Sequence, residues 1–201
     1  GQGRMTAASL IKLYIMGAVY SSYDDITASN GQEEVDKLLN AMITVSDNDS
    51  ANTLVGMLGN GDDAAGQEAV NTYCKNNGYT DTSMGRMLLE KASANENYTS
   101  ARDCSVFLKN IYENKLEHSE DMLNLLKQQT RTEKIPKGVP AGVETANKTG
   151  ELDHVENDAA IVFDGENPYI ICVMADNLSD TTEARQRIVD ISSVVYENIS
   201  K

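Results

Sequence analysis

At 201 residues and 21.9 kDa, the chain is long enough to bury a substantial core in one unit spanning 1–201. Its 31 acidic and 17 basic side chains leave a formal charge of −14, which, with no basic stripe, argues against a nucleic-acid partner. No apolar stretch is long enough to cross a bilayer, and two histidines with three scattered cysteines supply neither metal-ligand spacing nor a Ser-His-Asp triad, so no cofactor or metal is expected.

Ala8 to about Tyr23 is predicted as a helix, apolar on more than one side, and it opens on Ser9-Leu10-Ile11-Lys12. Helical spacing recurs over Gln32 to Met42 and Asn48 to Leu58, which places Ser46-Asp47-Asn48 in the turn between two helices. A further helix is expected from Asp62 to about Asn76, stopping near Gly78. Ser100 and Asp103 stand at capping-box spacing before a helix through Phe107 and Tyr112, and a short one follows from Ser119 to Lys127. From Gly142 the period becomes extended. Gly142 to Glu151, Asp158 to Asp164 and Pro168 to Asp176 read as strands, the last two joined through Gly165-Glu166-Asn167, and Ser179 to Asn198 reads as a closing helix. The order implies an α+β fold: a helical lobe beside an antiparallel sheet flanked by helices. Cys74, Cys104 and Cys172 are expected as small buried thiols, His118 at a surface helix start, and His154 in a loop near Lys148-Thr149-Gly150.

A lone Ser-x-x-Lys is expected about once by chance in such a chain, whereas Ser-Asp-Asn and Lys-Thr-Gly are each expected only a few hundredths of a time. The ordered set is therefore specific, and it carries a chemistry. Three residues apart on a helix, Lys12 lies on the face of Ser9 and can take its hydroxyl proton. Burial and a second cation, Lys148, would lower the amine's pKa toward that of a base. The helix start leaves the Ser9 backbone N–H free to stabilise an oxyanion.

The motifs and the text around them, MTAASLIKLYIMGAVY, TVSDNDSANTL, YTSARDCSVFLKNIY and NKTGELDHVENDAAIVF, resemble class A β-lactamase-related serine hydrolases of the β-lactamase and penicillin-binding protein superfamily. The resemblance implies a β-lactamase/transpeptidase-like fold in which Ser9 is the nucleophile, Lys12 its base and Ser46 the relay of a proton to the leaving nitrogen. Asn48 would bind the substrate amide, Asp47 would hold its loop, and the Glu151 N–H would complete the oxyanion hole. Lys148 would polarise Ser46 and, with Thr149, receive a substrate carboxylate, while Gly150 would let the substrate approach the strand. By the same resemblance the acyl donor would be a β-lactam or a D-alanyl peptide and the location extracellular or at the cell envelope, although no signal peptide is seen. Relatives have two strands ahead of the nucleophile and this chain opens at Gly1-Gln2-Gly3-Arg4, so the 168–176 edge is expected to be covered by an N-terminal segment or another chain.

Two departures concern function. Class A β-lactamases carry a deacylating glutamate in the loop before the helix at Ser100, but here Met84-Gly85-Arg86-Met87-Leu88-Leu89-Glu90 places Leu88 near that position. Glu90 and Glu96 are the alternative bases, Arg86 matches a loop-bracing arginine and Asn52 a residue beneath it. The strand arginine with which some relatives bind the carboxylate is also absent. The alternatives to a β-lactamase-like hydrolase are therefore a D-alanyl-D-alanine peptidase or penicillin-binding protein that deacylates slowly, and a non-catalytic module that binds cell-wall peptides or β-lactams.

Overall fold

A single 3₁₀ turn, Ala8–Leu10, leads into α1 (Ile11–Tyr20), a helix whose every residue is buried. The computed structural model describes residues 3–91, 95–165 and 167–199. The expected helix from Ala8 to Tyr23 is interrupted at Ser21-Ser22, where the Ser21 hydroxyl turns back onto the Ala18 carbonyl, and α2 (Tyr23–Asn30) starts afresh. The sequence gives little sign of α2, which buries only Ile26. The helices α3 (Gln32–Thr44), α4 (Asn48–Leu58), α5 (Asp63–Asn76), α6 (Ala101–Tyr112) and α7 (Ser119–Lys127) follow the apolar spacing. Side-chain caps set three of their starts: Asp47, Asp62 and Ser100 accept from the N–H groups of Ser50, Ala65 and Asp103.

The sheet has antiparallel order β3 (Glu144–Leu152), β4 (Val155–Phe163), β5 (Tyr169–Ala175). Central β4 is covered on both faces. Ala159 and Ile161 join the core of the helical lobe, while Ala160 and Val162 pack with Ile135, Ile171 and Ile188 beneath α8 (Thr181–Ile199). β4 begins three residues before the expected Asp158, because Glu156 and Asn157 are polar in sequence yet buried and partnered in the fold. Two short strands were not foreseen: β1 (Met5–Thr6) pairs with β2 (Tyr98–Thr99), which fastens the approach to Ser9 onto the far end of the 84–99 loop. The outer edge of β5 pairs with no strand among the described residues. Glu166 of the expected turn lies outside them. Cys74 and Cys104 are buried, and Cys172 on β5 is half-buried.

Burying an Ile or Leu contributes about 1.5–3 kcal/mol. Ile11, Leu13 and Ile15 are wholly enclosed, which seats α1 firmly in the core, with Lys12 in its first turn and Ser9 in the 3₁₀ turn that leads into it.

Candidate functional site

Ser9, Lys12, Ser46, Asn48 and Lys148 converge where α1, the α3–α4 turn and β3 meet. The Lys12 Nζ lies 3.1 Å from Ser9 Oγ, 3.2 Å from Ser46 Oγ, 2.6 Å from the Ser46 carbonyl and 2.7 Å from Asn48 Oδ1. Lys148 donates to Ser46 Oγ at 2.8 Å and to the Thr149 carbonyl at 2.9 Å. Both amines are buried. Burial lowers the Lys12 pKa to about 7, with Arg131 helping and Asp47 opposing. Burial, then the nearness of Lys12 and Arg131, also drives Lys148 well below its ordinary range. A neutral Lys12 has a lone pair to offer, and two hydroxyls, Ser9 and Ser46, are within reach of it.

Backbone strain accompanies this convergence. Ala8, Ser46 and Leu89, each beside or within the site, have φ of 48°, 63° and 71°. Such left-handed conformations cost roughly 1–3 kcal/mol each and persist only where the surroundings impose them. Gly150 also has a packing role. A Cβ there would lie 2.8 Å from the Ala7 carbonyl oxygen, 3.2 Å from the Leu10 nitrogen and 3.3 Å from the Ser9 nitrogen. The missing side chain thus lets β3 pack directly on the Ser9 turn.

A cavity of about 150 Å³ opens among Ser9, Ser46, Asn48, Thr149, Glu151 and Arg131. Arg131 was not singled out in the sequence. It sits in the connection between α7 and β3, lines this cavity and lies near enough to both buried amines to lower their pKa values. Its only sequence signal is local: Arg131, Lys134 and Lys137 are grouped within seven residues of an otherwise acidic chain.

A second cavity of about 250 Å³ adjoins Ser9 and Asn48 and is walled by Leu88, Leu89, Glu90 and Glu96. Asn52 grips the Leu88 peptide from both sides, accepting its N–H at 2.8 Å and donating to its carbonyl at 2.9 Å, and the Leu88 side chain is buried. Arg86 braces the loop as expected, meeting both Glu96 carboxylate oxygens at 2.8 and 3.1 Å and the Glu90 carbonyl at 2.9 Å. Glu90 accepts from the Met87 N–H. Both candidate loop carboxylates are therefore engaged in bracing the loop. His154 donates to the Leu178 carbonyl and closes a loop beyond this cavity, and His118 stacks on Tyr20 away from it. Among the described residues, no group of three or more His, Cys, Asp or Glu is placed to hold a metal, and no helix is long and apolar enough to cross a membrane.

The arrangement can deprotonate a serine hydroxyl, attack a carbonyl and pass a proton onward through a second serine. A family profile described as "Beta-lactamase enzyme family" matches residues 27–199, a range that includes Ser46 and Lys148 and begins after Ser9 and Lys12. No curated protein matches the sequence. Among solved structures, a β-lactamase from Sphaerobacter thermophilus is 24% identical with a TM-score of 0.83, over 99% of this chain and 85% of that one. PBP-A is 23% identical with a TM-score of 0.84 over 98% and 82%, and a variant of PBP-A, solved as an acyl-enzyme complex with penicillin G, is 22% identical with a TM-score of 0.83 over 98% and 83%. At such identities the likeness is one of fold.

Proposed function

The chain belongs to the beta-lactamase enzyme family, and from that premise we propose that it is an active-site-serine hydrolase acylated by β-lactams at Ser9 and slow to release them. The observation that carries this reading is the single cluster in which Lys12 Nζ reaches both Ser9 Oγ and Ser46 Oγ. Lys12 takes the Ser9 proton as Oγ bonds to the lactam carbonyl carbon. The resulting oxyanion is held by the backbone N–H groups of Ser9 and Glu151. Collapse breaks the C–N bond, the nitrogen takes a proton through Ser46, and an ester on Ser9 remains. Lys148, Thr149 and Arg131 face the carboxylate shared by β-lactams and D-alanyl peptides, and Asn48 faces the substrate amide. Hydrolysis of the ester then needs a water-activating base, and a buried leucine stands where the family has its glutamate. That observation favours a D-alanyl peptide as the natural donor, processed outside the cytoplasm by a single domain over 1–201.

The test is the intact mass of the protein over time after mixing with penicillin G, with the adduct located by peptide mapping. A lasting gain of one whole penicillin on the peptide containing Ser9 is expected. Reversible binding without any covalent gain would make the protein a binding module instead.

Two variants probe the geometry. Gly150→Ala is expected to slow acylation roughly 10²- to 10³-fold, the usual loss when one oxyanion donor is misplaced, because its methyl would push β3 off the Ser9 turn. Stopped-flow acylation beside a wild-type melting curve separates this from unfolding. The pH dependence is also fixed in sign. Acylation needs neutral Lys12, so its rate should rise with pH through about 7. Arg131→Gln removes a cation that depresses the Lys12 pKa, so the midpoint should move upward while the penicillin concentration at half-saturation rises. A midpoint that stays put would separate Arg131 from Lys12.

A further inference from the structure

The connection between α7 and β3 holds none of the three motifs, yet it contributes a cation only 1% exposed, Lys134. Its ammonium lies 2.6 Å from Glu156 Oε2, 3.1 Å from Glu151 Oε1 and 3.0 Å from the Asn157 carbonyl, three acceptors for three N–H bonds. Glu151 and Glu156 are direct partners in the β3–β4 ladder. Like charges facing each other across a ladder repel, and these two flank the turn that ends β3. Arg185 also reaches both carboxylates, at 3.9 and 2.6 Å, but from the exposed side. Lys134 approaches from within. Its backbone is anchored there as well: the Ile135 N–H donates to Asp158 Oδ2 at 2.9 Å, and Asn147, the neighbour of Lys148, donates to the Asp158 Oδ1 and Arg131 carbonyl oxygens at 3.0 and 3.3 Å.

We infer that Lys134 is a positioning residue for the oxyanion hole: its ammonium, seated between the facing carboxylates of Glu151 and Glu156, holds the end of β3 so that the Glu151 N–H stays aligned with that of Ser9. This rests on the proposed reading of Ser9 and Glu151. The substrate never touches Lys134. The oxyanion forms only during the reaction, so loss of the ammonium affects the chemical step and spares ground-state binding.

In the full chain, Lys134→Met is expected to lower the acylation rate at saturating penicillin G about 10- to 100-fold, the scale of a misplacement of about 1 Å. The half-saturating concentration should stay within about threefold. An arylboronic acid, whose tetrahedral adduct on Ser9 places an oxygen where the oxyanion forms, should lose affinity in parallel. Adding Glu151→Gln removes the repulsion and should restore most of the acylation rate. If Lys134→Met is too unstable to assay, Lys134→Gln carries the same comparison. A folded Lys134 variant with wild-type rates, a loss shared equally by rate and half-saturation, or a loss that Glu151→Gln leaves in place overturns the inference. A wild-type protein that penicillin never acylates overturns the reading beneath it, and the inference falls with it.

Discussion

Leu88→Glu is expected to turn a lasting penicillin adduct into turnover, raising the deacylation rate about 10²- to 10⁴-fold, the usual contribution of a positioned general base. The position is prepared for it. Asn52 fixes the Leu88 peptide through two hydrogen bonds, and the side chain lines the cavity it shares with Ser9 and Asn48. A carboxylate there would sit in a largely desolvated place, which raises its pKa and strengthens it as a base at neutral pH. Glu90 and Glu96 would not compete, since the first caps the Met87 N–H and the second is held by Arg86. Release of penicilloate after a single-turnover pulse measures the effect, with Leu88→Gln as the control of equal shape and no basicity. A folded Leu88→Glu protein that acylates normally and deacylates no faster than Leu88→Gln would remove this loop from the account of slow release.

Lys12→Met is expected to lower acylation by a comparable factor, about 10²- to 10⁴-fold, and to abolish the limb of the pH profile near 7. The methionine keeps the length and burial of the chain but cannot take the Ser9 proton. Stability should move the other way. The folded state binds one proton fewer on Lys12 than the unfolded state between about pH 7 and the ordinary lysine value of 10.5, so this group's penalty grows as pH falls through that window. Lys12→Met removes the penalty, so its melting temperature should exceed that of the wild type more at pH 6 than at pH 10. Slow acylation with no gain in stability at pH 6 would mean that Lys12 contributes by packing rather than as a base. The trade of stability for reactivity is common at such sites.

The parts of the fold that the sequence made legible are those with a single dominant period. The bounds of α4 agree with the expected 48–58 and α7 with 119–127, because their apolar stripes face one core and caps or polar turns mark their ends. Where burial is decided by distant partners, the sequence misleads. Glu156-Asn157 looks like a polar loop and lies at the start of the central strand's pairing, since Lys134 and the Thr6 carbonyl satisfy it from two other segments. The serine break after α1 was missed for the opposite reason: no Gly or Pro marks it, and the stop shows only in the Ser21 hydroxyl bonding back to the Ala18 carbonyl.

The same division runs through the site. The sequence by itself supplied the candidate groups as local units, Ser9 with Lys12 at a helix start, Ser46 with Asn48 in a turn and Lys148 with Thr149 on a strand, and the family resemblance supplied the roles proposed for them. The tertiary structure alone decided how those groups are arranged. It brings β3 onto the Ser9 turn through Gly150 and buries Lys12 and Lys148 near one hydroxyl, lowering both pKa values. It also adds Arg131 and Lys134 from a connection with no motif of its own. Desolvation and charge proximity depend on atoms far apart in the chain, so they become defined only when the lobe and the sheet close on each other.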